Sequence, residues 1–205
     1  MTRPVASEER TTGSVNLLPV YASVFLTDMA AIIQIFAVDR DLAERGADLL
    51  TLGLVGGGMA AAFAISSVVF GVLSDRIGRW PLAILGIITM MLATSGCLLL
   101  APPSRLYFVS YWLTGVATGM YYPPIIAMLS TDGSKRGQLR GISRPLIIFC
   151  FAWNGGLITG TGVAGYLFAL GKGWPIGVAL AGSGVNLLIL LGILLRPKRP
   201  MVAAA

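Results

Sequence analysis

Residues 71 to 80 read GVLSDRIGRW and join a 25-residue apolar run (49 to 73) to a 21-residue one (81 to 101). Asp75, Arg76 and Arg79 crowd between those runs together with Gly71 and Gly78. A gap this short leaves no free loop. Its charges sit at the ends of the two flanking elements, in nearly fixed positions.

Those flanks set the scale for the rest of the chain. A bilayer core about 30 Å thick is crossed by roughly 20 apolar residues in a helix. Six runs of that kind occur, at 17–38, 49–73, 81–101, 106–131, 146–170 and 174–195, and Asp28 is the one full charge inside them. The chain is 56% hydrophobic and 12% charged, against roughly 25% charge in a soluble domain, so a water-soluble fold is a poor reading. Helix is the form that closes backbone hydrogen bonds inside lipid. Stretches such as LLILLGILL also lack the alternation of a transmembrane barrel. The sequence therefore predicts an all-α integral membrane protein with six transmembrane helices. A polar tail (1–16) precedes the bundle (17–195), and a basic tail (196–205) follows it. The first apolar run is too long for a signal-peptide core and is expected to be retained. Cys97 and Cys150 both fall within spans, so no disulfide is expected.

Six spans put both termini on one side. That side carries eleven Lys and Arg residues, including Arg76, Arg79, Arg136 and the RPKRP tail, against four on the other: Arg40, Arg45, Arg105 and Lys172. The positive-inside rule then places both termini in the cytoplasm and the chain in the cell membrane. It also accounts for the net charge of +6. The basic residues lie in separate loops without the interleaved aromatics that single strands need, so no nucleic-acid partner is expected.

Enzymatic readings find little support. The chain has no His, which removes Ser-His hydrolysis and HExxH zinc chemistry. It has no GxxxxGK[ST] loop for ATP-driven pumping. Asp39 and Asp41 form a DxD, which reads as part of a mixed-charge outer loop with Arg40 and Arg45. No enzyme activity, metal or cofactor is expected.

The pattern Gly71, Asp75, Arg76, Gly78, Arg79 resembles GxLxDRxGRR, the signature between the second and third spans of the major facilitator superfamily, with Trp80 in place of the last basic residue. The resemblance implies a conformational latch on the cytoplasmic side. In it Asp75 supplies a carboxylate suited to a helix N-terminus, and Arg79 pairs with an acid at the end of span four, the place held by Asp132. Arg136 and Gly137 resemble the RG turn before span five. GLITGTGVAG (156–165) resembles a degenerate form of the span-five antiporter motif, with Thr161 where Pro is usual and Ala164 for one paired glycine. In span four, Tyr111 stands where drug antiporters carry an arginine.

Asp28 lies near the middle of span one, where an unpaired charge costs about 2.5–3.5 kcal/mol on insertion scales. It reads as a proton or cation site, or else as a protonated packing residue. Tyr21 shares its helical face. In span four, Tyr111, Gly115, Thr118 and Tyr122 recur at helical spacing. The superfamily lines its cavity with spans one and four, so this stripe and Asp28 are expected to face one substrate, unless the hydroxyls only join packed helices. Pro123 and Pro124 are expected to kink or unwind span four. Gly115, Gly119, Gly156, Gly160 and Gly165, and the row Gly53, Gly56, Gly57 and Gly58, read as close helix contacts. Asn154, Thr161 and Asn186 read as interhelical hydrogen-bonding groups.

Superfamily transporters have two six-span halves with the substrate between them, and this chain resembles the amino-terminal one. The resemblance implies secondary transport of a small solute, with proton coupling through Asp28 as an expectation. The partners would be the lipid bilayer, the solute and a second six-helix half. A homodimer, a split transporter and a truncated, non-transporting product that binds a partner all fit.

Overall fold

A computed structural model of the chain describes residues 17–100, 102, 104–135 and 144–195, with 131–135 as backbone only. All regular structure among them is helical: α1 (Leu18–Glu44), α2 (Leu49–Ile77), α3 (Arg79–Leu99), α4 (Arg105–Lys135), α5 (Arg144–Leu170) and α6 (Gly173–Leu194). Both terminal tails and Arg136 lie outside the described residues.

Five of the six helices are long and apolar enough to cross a membrane. The exception is α4, whose 31 residues suffice in length. Its hydropathy is lowered by Tyr107, Tyr111, Tyr121, Tyr122, Pro123 and Pro124. All four tyrosines are buried, so the polar atoms that weaken its apolar signature face protein. The helix runs unbroken through both prolines rather than unwinding.

The seven-residue connection expected between the apolar runs, at 74–80, collapses to a single residue. Helix α2 continues through Ile77, Gly78 turns the chain at φ 107°, and α3 starts at Arg79. Such a φ is accessible to glycine at little cost and to few other residues. At the other end of the bundle α1 runs six residues beyond the apolar boundary expected at 38. The charges there form i,i+4 pairs, Arg40 with Glu44 at 3.0 Å and Arg45 with Asp41 at 2.9 Å. These favour helix over the mixed-charge loop expected at Asp39 and Asp41. Asp48 caps α2 by accepting the Thr51 N–H at 2.9 Å, and the bonds from Thr51 hold its carboxyl below the usual carboxylate range.

Helices α3 and α4 pack along their length, α2 lies on α4, α5 lies on α1, and α6 bridges α1 and α3. Helices α1 and α4 are the most deeply buried, whereas α2 and α5 are largely exposed. Polar contacts from buried Ser23, Thr27 and Gln34 help to fasten α1 to its neighbours. Ser23 and Tyr121 share a hydrogen bond of 2.7 Å, Asn186 on α6 donates to Thr27 at 2.6 Å, and Gln34 joins Thr94 on α3 at 2.7 Å and Thr114 on α4 at 2.9 Å. Polar bonds of this kind set helix register where lipid offers no competing partner.

Glycines admit the two outer helices. At Gly115 and Gly119 a side chain would collide with Met59 and Ser66 of α2; at Gly156 and Gly160 it would collide with Phe25 and Met29 of α1. Gly165 is looser, with Phe36 3.9 Å from where a Cβ would stand. The row on α2 does not make the close contacts expected of it. Gly58 abuts Trp112, but Gly53, Gly56 and Gly57 have nothing near them. Asn154 and Thr161 also depart from expectation, since both are exposed and bond back to carbonyls of their own helix, Cys150 and Leu157. Cys97 is buried, Cys150 is exposed, and both are free.

Candidate functional site: the Asp28 carboxylate

Asp28 sits midway along α1 and is 6% exposed. Its Oδ1 accepts two hydrogen bonds, from the Tyr122 hydroxyl on α4 at 3.0 Å and from the Trp153 indole N–H on α5 at 2.7 Å. Its Oδ2 is buried and has no hydrogen-bond partner. One carboxylate thus ties three helices together through a single oxygen and keeps the other unused.

The local sequence explains how α5 reaches this point. Gly155 and Gly156 follow Trp153 by two and three residues, and a Cβ at 156 would stand 3.0 Å from Asp28 Cβ. Without side chains on that face, α5 comes close enough for the indole to reach the carboxylate. Phe149, one turn earlier, stacks on Trp153 with centroids 6.4 Å apart, and both rings pack against Tyr122 at 6.3 and 6.2 Å. These edge and offset geometries suit aromatic quadrupoles. Asp28 is therefore backed by three rings, of which Tyr122 and Phe149 are buried while Trp153 is 43% exposed.

Tyr122 is the residue of the span-four stripe that reaches Asp28. Tyr111 does not. It lies on the same helical face, but eleven residues at about 1.5 Å each put it roughly 16 Å away along the axis. There it is buried beside Tyr107 and Cys97 and makes a long, 3.5 Å contact to Asp39. Thr118 is turned onto its own helix, donating to the Thr114 and Gly115 carbonyls at 3.0 Å. Gly115 faces α2 rather than a cavity shared with Asp28. Tyr21 is half-buried at the rim of the core cluster that contains Tyr122 and Phe149. Trp153 and Phe149 were not among the expected site residues. The signal for them was an indole two residues ahead of paired glycines, with Phe149 one turn before it.

At the α2–α3 turn, Arg79 donates to the Ala127 carbonyl of α4 at 2.8 Å and stands 3.9 Å from Asp75. Asp75 does not cap α3, which has no side-chain cap; it is exposed in the last turn of α2, beside Arg76. Gly71 faces Pro123 of α4, whose Cβ lies 3.7 Å from where a Gly71 Cβ would be. The side chain of Asp132 lies outside the described residues.

At the opposite end of α1, Lys172 joins the α5–α6 connection to α1 through Asp41 at 2.8 Å and Glu44 at 3.1 Å. Hydrogen bonding to Asp41, and next to Glu44, raises its pKa above the ordinary lysine value.

Comparison with known proteins agrees with this architecture. The family model of the Major Facilitator Superfamily matches residues 20–205. The MFS-type transporter SLC18B1 of Homo sapiens is 30% identical over 158 residues, which is 68% of this chain and 34% of that protein. The putative metabolite transport protein YaaU of Escherichia coli K12 is 27% identical over 149 residues, 73% of this chain and 32% of that protein. The chain thus spans about a third of the length of the curated relatives it matches. With several helices able to cross a bilayer, it is a multi-pass membrane protein, and it belongs to the major facilitator superfamily.

Proposed function

We propose that the chain is one half of a secondary transporter for a small solute, without enzymatic activity, and that Asp28 exchanges a proton during the transport cycle. The observation that carries this reading is the unpartnered Oδ2 of Asp28, buried at mid-helix in a transporter fold. An unpaired carboxylate at that depth is costly and is retained where it binds or relays a cation. Both termini face the cytoplasm of the cell membrane, as the eleven-to-four distribution of Lys and Arg implies.

A second six-helix bundle completes the cavity, supplied by another copy or a companion chain. The support lies on the outer helices. Gly53, Gly56 and Gly57 of α2 have open space before them, and Asn154 and Thr161 of α5 are exposed, with only their own helix to bond. Polar groups and bare backbone are poor lipid-facing surfaces and good surfaces for a helix partner. Those same faces support a second reading, a non-transporting subunit that binds a partner half.

The test is reconstitution of the chain in liposomes with an entrapped pH indicator and an imposed proton gradient. Sugars, organic acids and amines are added in turn. Proton flux driven by one solute, and lost in Asp28→Asn, supports the transporter. Absence of solute-driven flux, with a stable complex of defined mass in mild detergent, favours the subunit.

A further inference from the structure

We infer that the end of the bundle where α1 stops and α6 begins holds an anionic diacyl phospholipid, with its phosphate between Arg40 and Lys172 and an acyl chain in each of two grooves that meet there. The inference is independent of whether the chain transports a solute.

The grooves open on the outside of the bundle. One, of about 590 Å³, runs along α6 and is lined by Gly173, Trp174, Gly177, Val178 and Ala181. The other, of about 410 Å³, lies between α1 and α5, with Phe36, Gly165, Phe168 and Ala169 along it and Arg40 and Glu44 at its charged end. Gly171 and Lys172 line both, so the two grooves flank a single basic point. Gly173, Gly177 and Ala181 recur at four-residue spacing on one face of α6, and a Cβ at either glycine would meet nothing within 4 Å. Ala181 lies nine residues beyond Lys172, about 13 Å at 1.5 Å each. One leaflet supplies about 15 Å of hydrocarbon, half of a core about 30 Å thick. The α6 groove therefore ends near the bilayer midplane, which suits an acyl chain, whereas a transmembrane helix of a protein partner would need a surface through the full thickness.

The hydrogen bonding left over at the charged end is all of the donor kind. Glu44 has both oxygens engaged, Oε1 by Arg40 Nε at 3.0 Å and Oε2 by Lys172 Nζ at 3.1 Å, and Asp41 takes a further Lys172 proton at 2.8 Å. Lysine carries three N–H donors and arginine five. At least one on Lys172 and those on both Arg40 Nη atoms thus lack an acceptor among the described residues. The Arg40 guanidinium lies over the Phe168 ring, 5.9 Å from its centroid, which occupies its face and leaves its edge for a bidentate oxyanion such as a phosphate. Two cations against one acid at this end favour a head of net negative charge over a zwitterionic one, which brings its own ammonium. Trp174, 59% exposed in the first turn of α6, stands at headgroup depth, where indoles are enriched.

The experiment is native mass spectrometry of the purified full chain, delipidated in detergent and titrated with phosphatidylglycerol, with phosphatidylcholine, or with glycerol 3-phosphate as the head alone. One tightly bound phosphatidylglycerol per chain is expected, with phosphatidylcholine severalfold weaker and no adduct with glycerol 3-phosphate. Arg40→Gln and Lys172→Gln together should lower the phosphatidylglycerol affinity roughly 30-fold, about fivefold for each cation. Gly177→Leu fills the α6 groove and leaves every charge in place. It should weaken the lipid severalfold at an unchanged thermal midpoint, since its side chain meets open space. Equal affinity of the unmodified chain for the two phospholipids overturns the inference without recourse to any variant, as does full phosphatidylglycerol affinity in Gly177→Leu. Glycerol 3-phosphate binding as tightly as the lipid overturns it too, because the grooves would then contribute nothing.

Discussion

The Trp153 indole N–H donates to Asp28 Oδ1 at 2.7 Å across the seam between α5 and α1, and Gly156 makes that approach possible. A Cβ at 156 would stand 2.5 Å from the Phe25 carbonyl oxygen, with backbone rather than a flexible side chain in the way. Gly156→Val therefore pushes α5 off α1 and breaks the hydrogen bond. The expected cost is about 1–3 kcal/mol, the usual range for overpacking, read as a lowered thermal midpoint in detergent. Gly162→Ala on the same helix meets open space and leaves the midpoint unchanged or slightly raised, since alanine is the better helix former. Equal midpoints for the two variants would show that the seam is not close-packed.

Gln34 offers a second test of how α1 is held. Its amide bonds Thr94, Thr114 and, more weakly, Cys97 at 3.4 Å, all fully or nearly buried. Gln34→Leu keeps the volume and removes every one of these bonds. The loss expected is about 1–2 kcal/mol, the sum of membrane hydrogen bonds averaging about 0.6 kcal/mol each. Denaturant unfolding of the variant measures it. Thr94→Val removes only one of the bonds and costs about half as much. A Gln34→Leu variant of full stability would mean that apolar packing alone fixes the α1–α3–α4 register.

How much of this was legible in the sequence depended on whether the signal was local. The helices were legible because an apolar run of bilayer length has few other meanings, and Asp28 because a lone charge inside such a run is conspicuous. Its partner Trp153 was not, being 125 residues away in another helix, with no local pattern that links the two. Glycines were half legible: Gly156 and Gly53 look alike in sequence, yet one meets α1 and the other open space. The end of α1 was misread for a different reason. Asp39, Arg40, Asp41 and Glu44 suggest a loop by composition, whereas their i,i+4 pairing extends the helix.

The α2–α3 turn separates two charges that look equivalent. The Arg79 guanidinium reaches the Ala127 carbonyl on α4, whereas the Asp75 side chain is 71% exposed and only 3.9 Å from Arg79. Exposed ion pairs contribute about 0–1 kcal/mol, so Asp75→Asn is expected to leave the thermal midpoint nearly unchanged. Arg79→Ala loses a charged hydrogen bond, worth about 1.5–3 kcal/mol in general, and is expected to lower the midpoint by several degrees. If Asp75→Asn nevertheless stops solute-driven flux in liposomes, the carboxylate acts in the conformational cycle rather than in the fold. If flux is untouched, the latch role implied by the resemblance is wrong for this chain.

Lys172 provides a pH test outside the membrane-spanning segments. Asp41 and Glu44 raise its pKa in the folded chain above the ordinary lysine value, which is about 10.4 in an unfolded peptide. A group bound more tightly in its protonated form contributes stability that is fully present below the unfolded value and is lost as pH rises through the folded one. The tie between α1 and the α5–α6 connection is thus constant from neutral pH to about pH 10 and fails above it. In Lys172→Met the thermal midpoint should fall below that of the parent at pH 8, and the gap should close at the alkaline end of the profile. Because the Lys172 side chain is half-exposed, 0.5 M salt should shrink the pH 8 difference as well. A gap that persists unchanged at high pH would assign the effect to the packing of the lysine stem rather than to its charge.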